Sequence, residues 1–95
     1  KNLQNNDLIG KVVLSKAGRD KNNLYVIVRQ MNEDYVLLAN GNTKSINMPK
    51  KKKLKHLSIL EDTDDEIISS IKSCDKGTDL KIKRFLKLKG IVKEG

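Results

Sequence analysis

Residues 10–31, GKVVLSKAGRDKNNLYVIVRQM, decide the fold class of this chain. Two β-prone segments, residues 10–15 (GKVVLS) and residues 24–31 (LYVIVRQM), flank a polar loop at residues 16–23 (KAGRDKNN). β-branched and aromatic side chains suit the pleated surface of a sheet, whereas Gly, Asn and Asp suit the turn between two strands. This stretch therefore predicts an antiparallel pair of strands.

The following residues continue the alternation of short apolar segments and turn signals. After a turn at residues 32–34, residues 35–39 (YVLLA) are typical of a third strand. Asn40 and Gly41 form a strong hairpin signal, because both residues tolerate positive φ. We therefore expect a fourth strand near residues 44–48.

A lysine run separates this region from the last predicted strand. Pro49 cannot donate to a sheet ladder and is expected at a strand end or edge. Residues 50–53 (KKKK) then lead into residues 54–60, which we expect to form a last strand or turn. Five short strands in about fifty residues predict a small β-barrel.

The pattern changes at Glu61, where acidic residues appear and the apolar spacing becomes helical. Thr63 and Glu66 have the spacing of a capping box, which predicts that a helix starts there. Gly77 is expected to end this helix. Its apolar stripe, at positions i, i+1, i+4 and i+7, comprises Ile67, Ile68, Ile71 and Cys74.

Residues 78–89 favour a second helix. Thr78 and Asp79 can open it, and Gly90 is expected to end it. One helical face would contain Ile82, Phe85 and Leu86. Leu80 and Ile82, and Leu86 and Leu88, also alternate as they would in a strand, so the period leaves a strand as the alternative.

The net charge of +8 is concentrated in the first half of the chain. Residues 1–60 contain twelve Lys or Arg and four Asp or Glu, whereas residues 61–95 contain eight of each. Lys and Arg that neutralise phosphates release condensed counterions, so a basic half favours a polyanion as partner. The alternative is a solvated, lysine-rich surface that only aids solubility.

Composition and the absence of certain motifs narrow the classes of protein to which the chain can belong. The single cysteine, Cys74, cannot form an internal disulfide or a zinc cluster, which suits a reducing compartment. No apolar run approaches the ~20 residues needed to span a bilayer, and the Lys- and Asn-rich start lacks the apolar segment of a signal peptide. We expect a cytoplasmic protein with no membrane partner. No motif pairs a nucleophile with a base or spaces metal ligands, so we expect no enzymatic activity, cofactor, metal or small-molecule substrate.

Residues 7–31, DLIGKVVLSKAGRDKNNLYVIVRQM, resemble the KOW motif, a strand-loop-strand unit shared by several ribosomal proteins and transcription elongation factors. Gly18 matches the glycine at the turn of the motif, and Arg19 and Lys21 match the basic residues that follow it. Asn22 stands where the family often has glycine, and Asn is the next most tolerant residue of left-handed geometry.

Residues 34–60, DYVLLANGNTKSINMPKKKKLKHLSIL, are similar to the KOW-containing group related to a large-subunit ribosomal protein of archaea and eukaryotes. That group includes stand-alone bacterial members described as RNA-binding, and the resemblance extends over residues 7–90. It implies a mainly β fold with α: a small SH3-like five-stranded β-barrel (KOW) over residues 1–60, then a helical extension of two short C-terminal helices over residues 61–95.

Charge and resemblance together predict binding to RNA, either ribosomal RNA or another structured RNA, in or near translation. Helical RNA hides its base edges in a deep, narrow groove, so we expect contacts to phosphates rather than to bases. Gly18 is expected to be a structural turn residue. The candidate RNA-binding residues are Lys16, Arg19, Lys21, Lys44, Lys50, Lys51, Lys52, Lys53 and Lys55.

Four other residues have simpler structural explanations. His56 is expected to be a strand or surface residue rather than a catalytic base. Cys74 is expected to be a small buried hydrophobe, because it falls on the apolar stripe. Tyr25 and Tyr35 are expected to pack in the core or across strands rather than to stack on bases.

Two other functions remain open. The runner-up is a protein-interaction adaptor that docks through the SH3-like barrel and the amphipathic tail. The third is a DNA- or polymerase-associated factor, since KOW domains also occur in transcription proteins.

Overall fold

The structure, a computed structural model, describes residues 8–19 and 21–94. It contains a five-stranded antiparallel sheet followed by two helices, so this coarse part of the predicted fold is confirmed. The strands are β1 (Lys11–Ser15), β2 (Leu24–Gln30), β3 (Tyr35–Ala39), β4 (Lys50–Lys53) and β5 (Leu57–Asp62). The helices are α1 (Asp65–Ser73) and α2 (Thr78–Glu94), and a 3₁₀ turn (Leu54–His56) joins β4 to β5.

The sheet is open, with the order β4-β3-β2-β1-β5 and with β4 and β5 as its edges. These two edge strands follow each other in the chain, joined only by the 3₁₀ turn. The four Cα steps from Lys53 to Leu57 reach at most about 15 Å. The edges of a flat five-stranded sheet would lie about 19 Å apart. The sheet must therefore curl, so that its two edges approach each other.

The fourth strand lies later in the chain than the sequence predicts. Residues 44–48 belong to the long β3–β4 loop, and the lysine run itself forms β4, with Lys52 opposite Val36. Two backbone N–H groups of this loop donate to side chains instead of to a neighbouring strand. The Asn40 carboxamide oxygen accepts from the backbone N–H of Lys44 at 2.9 Å, and an Asp79 carboxylate oxygen accepts from that of Ile46, also at 2.9 Å. The predicted strand at 44–48 is therefore wrong.

One face of the sheet packs against both helices. Its buried cluster contains side chains from β1, β2 and β3 together with residues of α1 and α2: Val12, Val26, Val28, Ala39, Ile67, Ile71, Ile82 and Leu86. The apolar stripe predicted for α1 is thus confirmed at Ile67 and Ile71. This part of the hydrophobic core is therefore formed jointly by the sheet and the two helices.

The opposite face of the sheet buries a second cluster. Because side chains alternate along a strand, β1 and β2 contribute to both clusters. The members are Val13, Tyr25, Ile27, Val36, Leu38 and Leu57. Tyr25 is 4% exposed, which confirms its predicted place in the core.

Both ends of α1 differ from the prediction. The capping residue is Asp64, whose carboxylate accepts from the Ile67 N–H at 2.9 Å. The Thr63 hydroxyl instead donates to the Gly10 carbonyl at 2.6 Å, because the end of β5 lies beside the start of β1. The helix ends at Ser73 and not at Gly77, because the next residue, Cys74, adopts the left-handed conformation with φ of 55°.

Residues 78–89 are helical, so the helix prediction is confirmed over the strand alternative. The predicted end at Gly90 is wrong, since α2 continues to Glu94. A glycine inside a helix costs only about 1 kcal/mol and does not end the helix by itself. The Thr78 hydroxyl shares its one proton between the carbonyl oxygens of Ser70, at 3.0 Å, and Asp75, at 2.8 Å, which fixes the start of α2 against the end of α1.

Candidate nucleic-acid interface

The β1–β2 loop presents three exposed cations at one end of the sheet: Lys16, Arg19 and Lys21. Ser15 closes the loop, because its backbone carbonyl accepts from the Asn22 N–H at 2.7 Å and its own N–H donates to the Asn23 carbonyl at 3.0 Å. Gly18 and Asn22 have φ values of 82° and 75°. These two left-handed residues turn the chain back within eight positions and leave the charged side chains outside.

Strand β4 divides the four-lysine run between the two faces of the sheet. Residues directly opposite each other in a ladder point to the same face. Lys50 and Lys52 pair with buried Leu38 and Val36, whereas Lys51 and Lys53 pair with Leu37 and Tyr35. The run is therefore not a single patch of positive charge.

Lys51 and Lys53 lie over the Tyr35 ring. Their ammonium nitrogens are 4.7 and 5.9 Å from the ring centroid, within the range of a cation–π contact. Tyr35 is half-buried and packs across strands, as the sequence predicts. Its ring is covered by these lysine side chains on the face that they share.

Lys52 connects the lysine strand to the first loop. Its ammonium group donates to the backbone carbonyl of Ala17 at 2.9 Å, although the two residues are 35 positions apart. The adjacent Lys16 donates its backbone N–H to the His56 carbonyl at 2.8 Å. These contacts place the β1–β2 loop beside both β4 and the 3₁₀ turn that carries Lys55.

We define the first basic surface as the cations that these contacts bring together: Lys16, Arg19, Lys21, Lys52 and Lys55. All of them are among the residues predicted from the sequence, and all but the half-buried Lys52 are exposed.

An open groove of about 430 Å³ lies beside this surface, next to the β2–β3 turn. It is lined by Glu33, Asp34, Lys53, Leu54 and Lys55. Because acids and lysines line it together, the groove attracts phosphate less than the β1–β2 loop does.

Lys44 lies elsewhere. Its loop packs on the first turn of α2, where a Cβ added to Gly41 would lie 2.0 Å from the Asp79 carbonyl oxygen and 2.8 Å from the Lys83 nitrogen. The Lys44 carbonyl accepts from the Gly41 N–H at 3.0 Å, so its backbone is close to that contact. The structure therefore groups Lys44 with α2 and not with the first basic surface.

Helix α2 carries exposed cations that the sequence analysis missed: Lys83, Arg84 and Lys87. The net charge of residues 61–95 is zero and gave no sign of them, because that sum includes acids that do not lie beside these cations. Applying the helical period to the cations, and not only to the apolar residues, would have placed all three on one side of the predicted helix.

The structure also places Cys74 and His56, two residues for which the sequence predicts a structural role. Cys74 is exposed, so its predicted burial is wrong. The helix ends just before it, and its left-handed backbone turns it away from the apolar stripe. His56 is half-buried in the 3₁₀ turn, where its backbone carbonyl holds the β1–β2 loop.

Among the described residues, no group of three His, Cys, Asp or Glu side chains is arranged to hold a metal ion. Within the same part of the chain, no helix has the length and apolar character needed to cross a bilayer. Comparison of the sequence with models of protein families and with curated proteins gave no match.

Proposed function

We propose that this chain is a non-enzymatic, cytoplasmic RNA-binding protein. In this proposal the curled sheet is an SH3-like barrel of the KOW type, with residues 61–95 as its helical extension. It binds ribosomal or other structured RNA through phosphate contacts, in or near translation.

The observation that carries the proposal is the contact between Lys52 and Ala17. It unites two basic segments that are far apart in the sequence, so that cations from the β1–β2 loop and from the β4 region belong to one surface. Several cations that meet neighbouring phosphates release several counterions together, which gives a polyelectrolyte partner its affinity.

The curl of the sheet supports the SH3-like assignment. Consecutive edge strands joined by a three-residue turn are what a nearly closed small barrel requires. The register shifts between Val12 and Val13 and between Ile27 and Arg29 add local bending of the kind found at barrel corners.

The interface favours contact with RNA shape over reading of bases. The cations extend from the β1–β2 loop, an edge strand and a 3₁₀ turn, and not from an α-helix. The ring of Tyr35 is already packed against lysines, so it offers no open stacking platform on that face. We therefore expect weak sequence preference and strong dependence on salt.

Sedimentation of the tagged protein through sucrose gradients tests the cellular side of the proposal. We expect it to travel with ribosomal particles at low salt and to dissociate at high salt. A protein that stays at the top of the gradient at both salt concentrations would remove the ribosome as its partner.

Binding to a labelled RNA stem–loop tests the surface itself. The variant K16Q/K21Q removes two loop cations and should make the slope of log affinity against log salt shallower by roughly 1.4 to 1.8, since each phosphate contact contributes about 0.7 to 0.9. The matched control R29Q/K72Q also removes two exposed cations, one on β2 and one on α1, and should leave the slope unchanged. Equal slopes for the two variants would contradict the assignment of this surface.

The adaptor alternative is less well supported. It requires an apolar tail surface for docking, yet Ile67, Ile71, Ile82 and Leu86 are buried against the sheet. Among the described side chains of the two helices, this leaves Leu80 and Leu88 as the exposed large apolar residues. The DNA alternative is tested with a duplex DNA of the same length as the RNA probe, because preference for that duplex would favour a transcription role.

A further inference from the structure

Helix α2 separates its cations into a paired set and an exposed set. Lys81 lies 3.2 Å from the Glu66 carboxylate and donates to the Ser70 hydroxyl at 2.9 Å. Lys89 lies 2.8 Å from the Glu61 carboxylate. Lys83, Arg84 and Lys87 are exposed and have no acidic partner among the described residues. The acids that balance the net charge of residues 61–95 therefore do not neutralise this face.

The exposed cations form one continuous stripe. At about 100° per residue, Lys83, Lys87 and Arg84 fall within an arc of about 100° on the helix surface. They occupy slightly more than one turn along the axis, so their side chains can meet one segment of a polyanion. The buried residues Ile82 and Leu86 are centred about 130° away from the middle of this arc, against the sheet.

The β3–β4 loop extends this stripe at its N-terminal end. Gly41 packs directly on the backbone of Asp79 and Lys83, and Lys44 is held in the same loop by bonds to Asn40 and Gly41. The backbone of Lys44 is therefore close to the cationic face of α2, although the sequence separates it from Lys83 by 39 positions. We define the second basic surface as Lys44, Lys83, Arg84 and Lys87.

Charge decides which class of partner fits this surface. A membrane-surface helix needs an apolar face free to enter the lipid. The apolar face formed by Ile82 and Leu86 is already used in the core, and among the described side chains of α2 only Leu80 and Leu88 are large apolar residues exposed beside the cations. The neighbouring acid Asp79 accepts from the Ile46 N–H at 2.9 Å, and the stripe of three or four cations beside it matches the phosphates of a nucleic-acid backbone.

We infer that the second basic surface binds a second segment of the same RNA backbone, so that the protein contacts the RNA at two separate places. This inference rests on the proposed function, since it takes RNA as the ligand. It assigns a binding role to the helical extension as well as to the sheet.

The test measures affinity for the RNA stem–loop across a salt series of about 50 to 200 mM. The variant K83Q/K87Q keeps two good helix formers and removes two charges. We expect a slope shallower by roughly 1.4 to 1.8, and an affinity lower by roughly five- to eightfold per contact at about 0.1 M salt. R29Q/K72Q is again the matched control, and circular dichroism checks that every variant keeps its helices.

The outcomes separate this inference from the proposed function. If the unmodified protein does not bind RNA at low salt, both fail. If it binds and K83Q/K87Q behaves like the control while K16Q/K21Q loses affinity, only the second surface is overturned. If the two variants each reduce the slope and their combination reduces it additively, both surfaces contact RNA independently.

Discussion

Strand β4 has four lysines in four residues and helix α2 has five in seventeen, and the two elements present their charges differently. In β4 the period of two places successive lysines on opposite faces, where Lys52 bonds to Ala17 and Lys51 packs on Tyr35. In α2 the period of 3.6 gathers Lys83, Arg84 and Lys87 on one side and leaves Lys81 and Lys89 to ion pairs. The backbone period, and not the number of lysines, determines which cations share a face.

The largest effect is expected from removing the buried side chain that packs α2 against the sheet. Ile82 is fully buried between the helices and the sheet, so Ile82→Ala should lower the free energy of unfolding by about 2 to 5 kcal/mol. Urea denaturation followed by circular dichroism measures the change. Leu88→Ala on the same helix is the control, because Leu88 is 63% exposed and its loss should change stability by less than about 0.5 kcal/mol.

The second test detaches the β3–β4 loop from α2. Gly41 has φ of 77°, and its added Cβ would collide with the Asp79 carbonyl, so Gly41→Ala should cost about 1 to 3 kcal/mol of stability. Gly77→Ala is the matched control, since nothing lies within 4 Å of its added Cβ. If the two substitutions have equal effects in urea denaturation, the loop does not pack on α2 as described.

The third test addresses the contact between Lys52 of β4 and the β1–β2 loop. Lys52→Ala removes the bond to the Ala17 carbonyl and should lower stability by about 0.5 to 1.5 kcal/mol. Hydrogen exchange should also show faster opening of the β1–β2 loop. Lys55→Ala removes an exposed lysine nearby and is expected to change neither measurement appreciably.

The smallest expected effect distinguishes the two sets of cations on α2. Lys81→Gln should lower stability by up to about 1 kcal/mol, because its partners are exposed carboxylates of Glu66 and Asp75. Lys87→Gln should leave stability unchanged and alter only RNA affinity. A loss of stability in Lys87→Gln would indicate a structural role that the described contacts do not contain.

The local order of elements could be predicted from the sequence, because β1, β2 and β3 have strong apolar patterns and α1 has a clear stripe. The position of β4 could not, since lysine has little intrinsic preference for strands. That strand exists because its register places Lys50 and Lys52 opposite the buried Leu38 and Val36.

Long-range contacts explain the remaining errors. Thr63 has a good local signal for a helix cap, but its hydroxyl is taken by Gly10, 53 positions earlier in the chain. Each residue of the first basic surface is predicted from the sequence. That these residues lie together depends on the contact of Lys52 with Ala17, which no local pattern reveals. The face of α2 was missed because charge was summed over a segment and not over a helix surface.

The position of β1 between β2 and β5 has a consequence for synthesis of the chain. Its hydrogen-bonding partner on one side is the next strand, whereas its partner on the other side ends at Asp62, 51 positions after Lys11. Until the ribosome has released residues 57–62, one side of β1 has no strand to pair with, and open strand edges favour association between chains. Between the emergence of β2 and that of β5 from the ribosome, the unpaired side of β1 is therefore the part of the nascent chain that is most open to association with other chains.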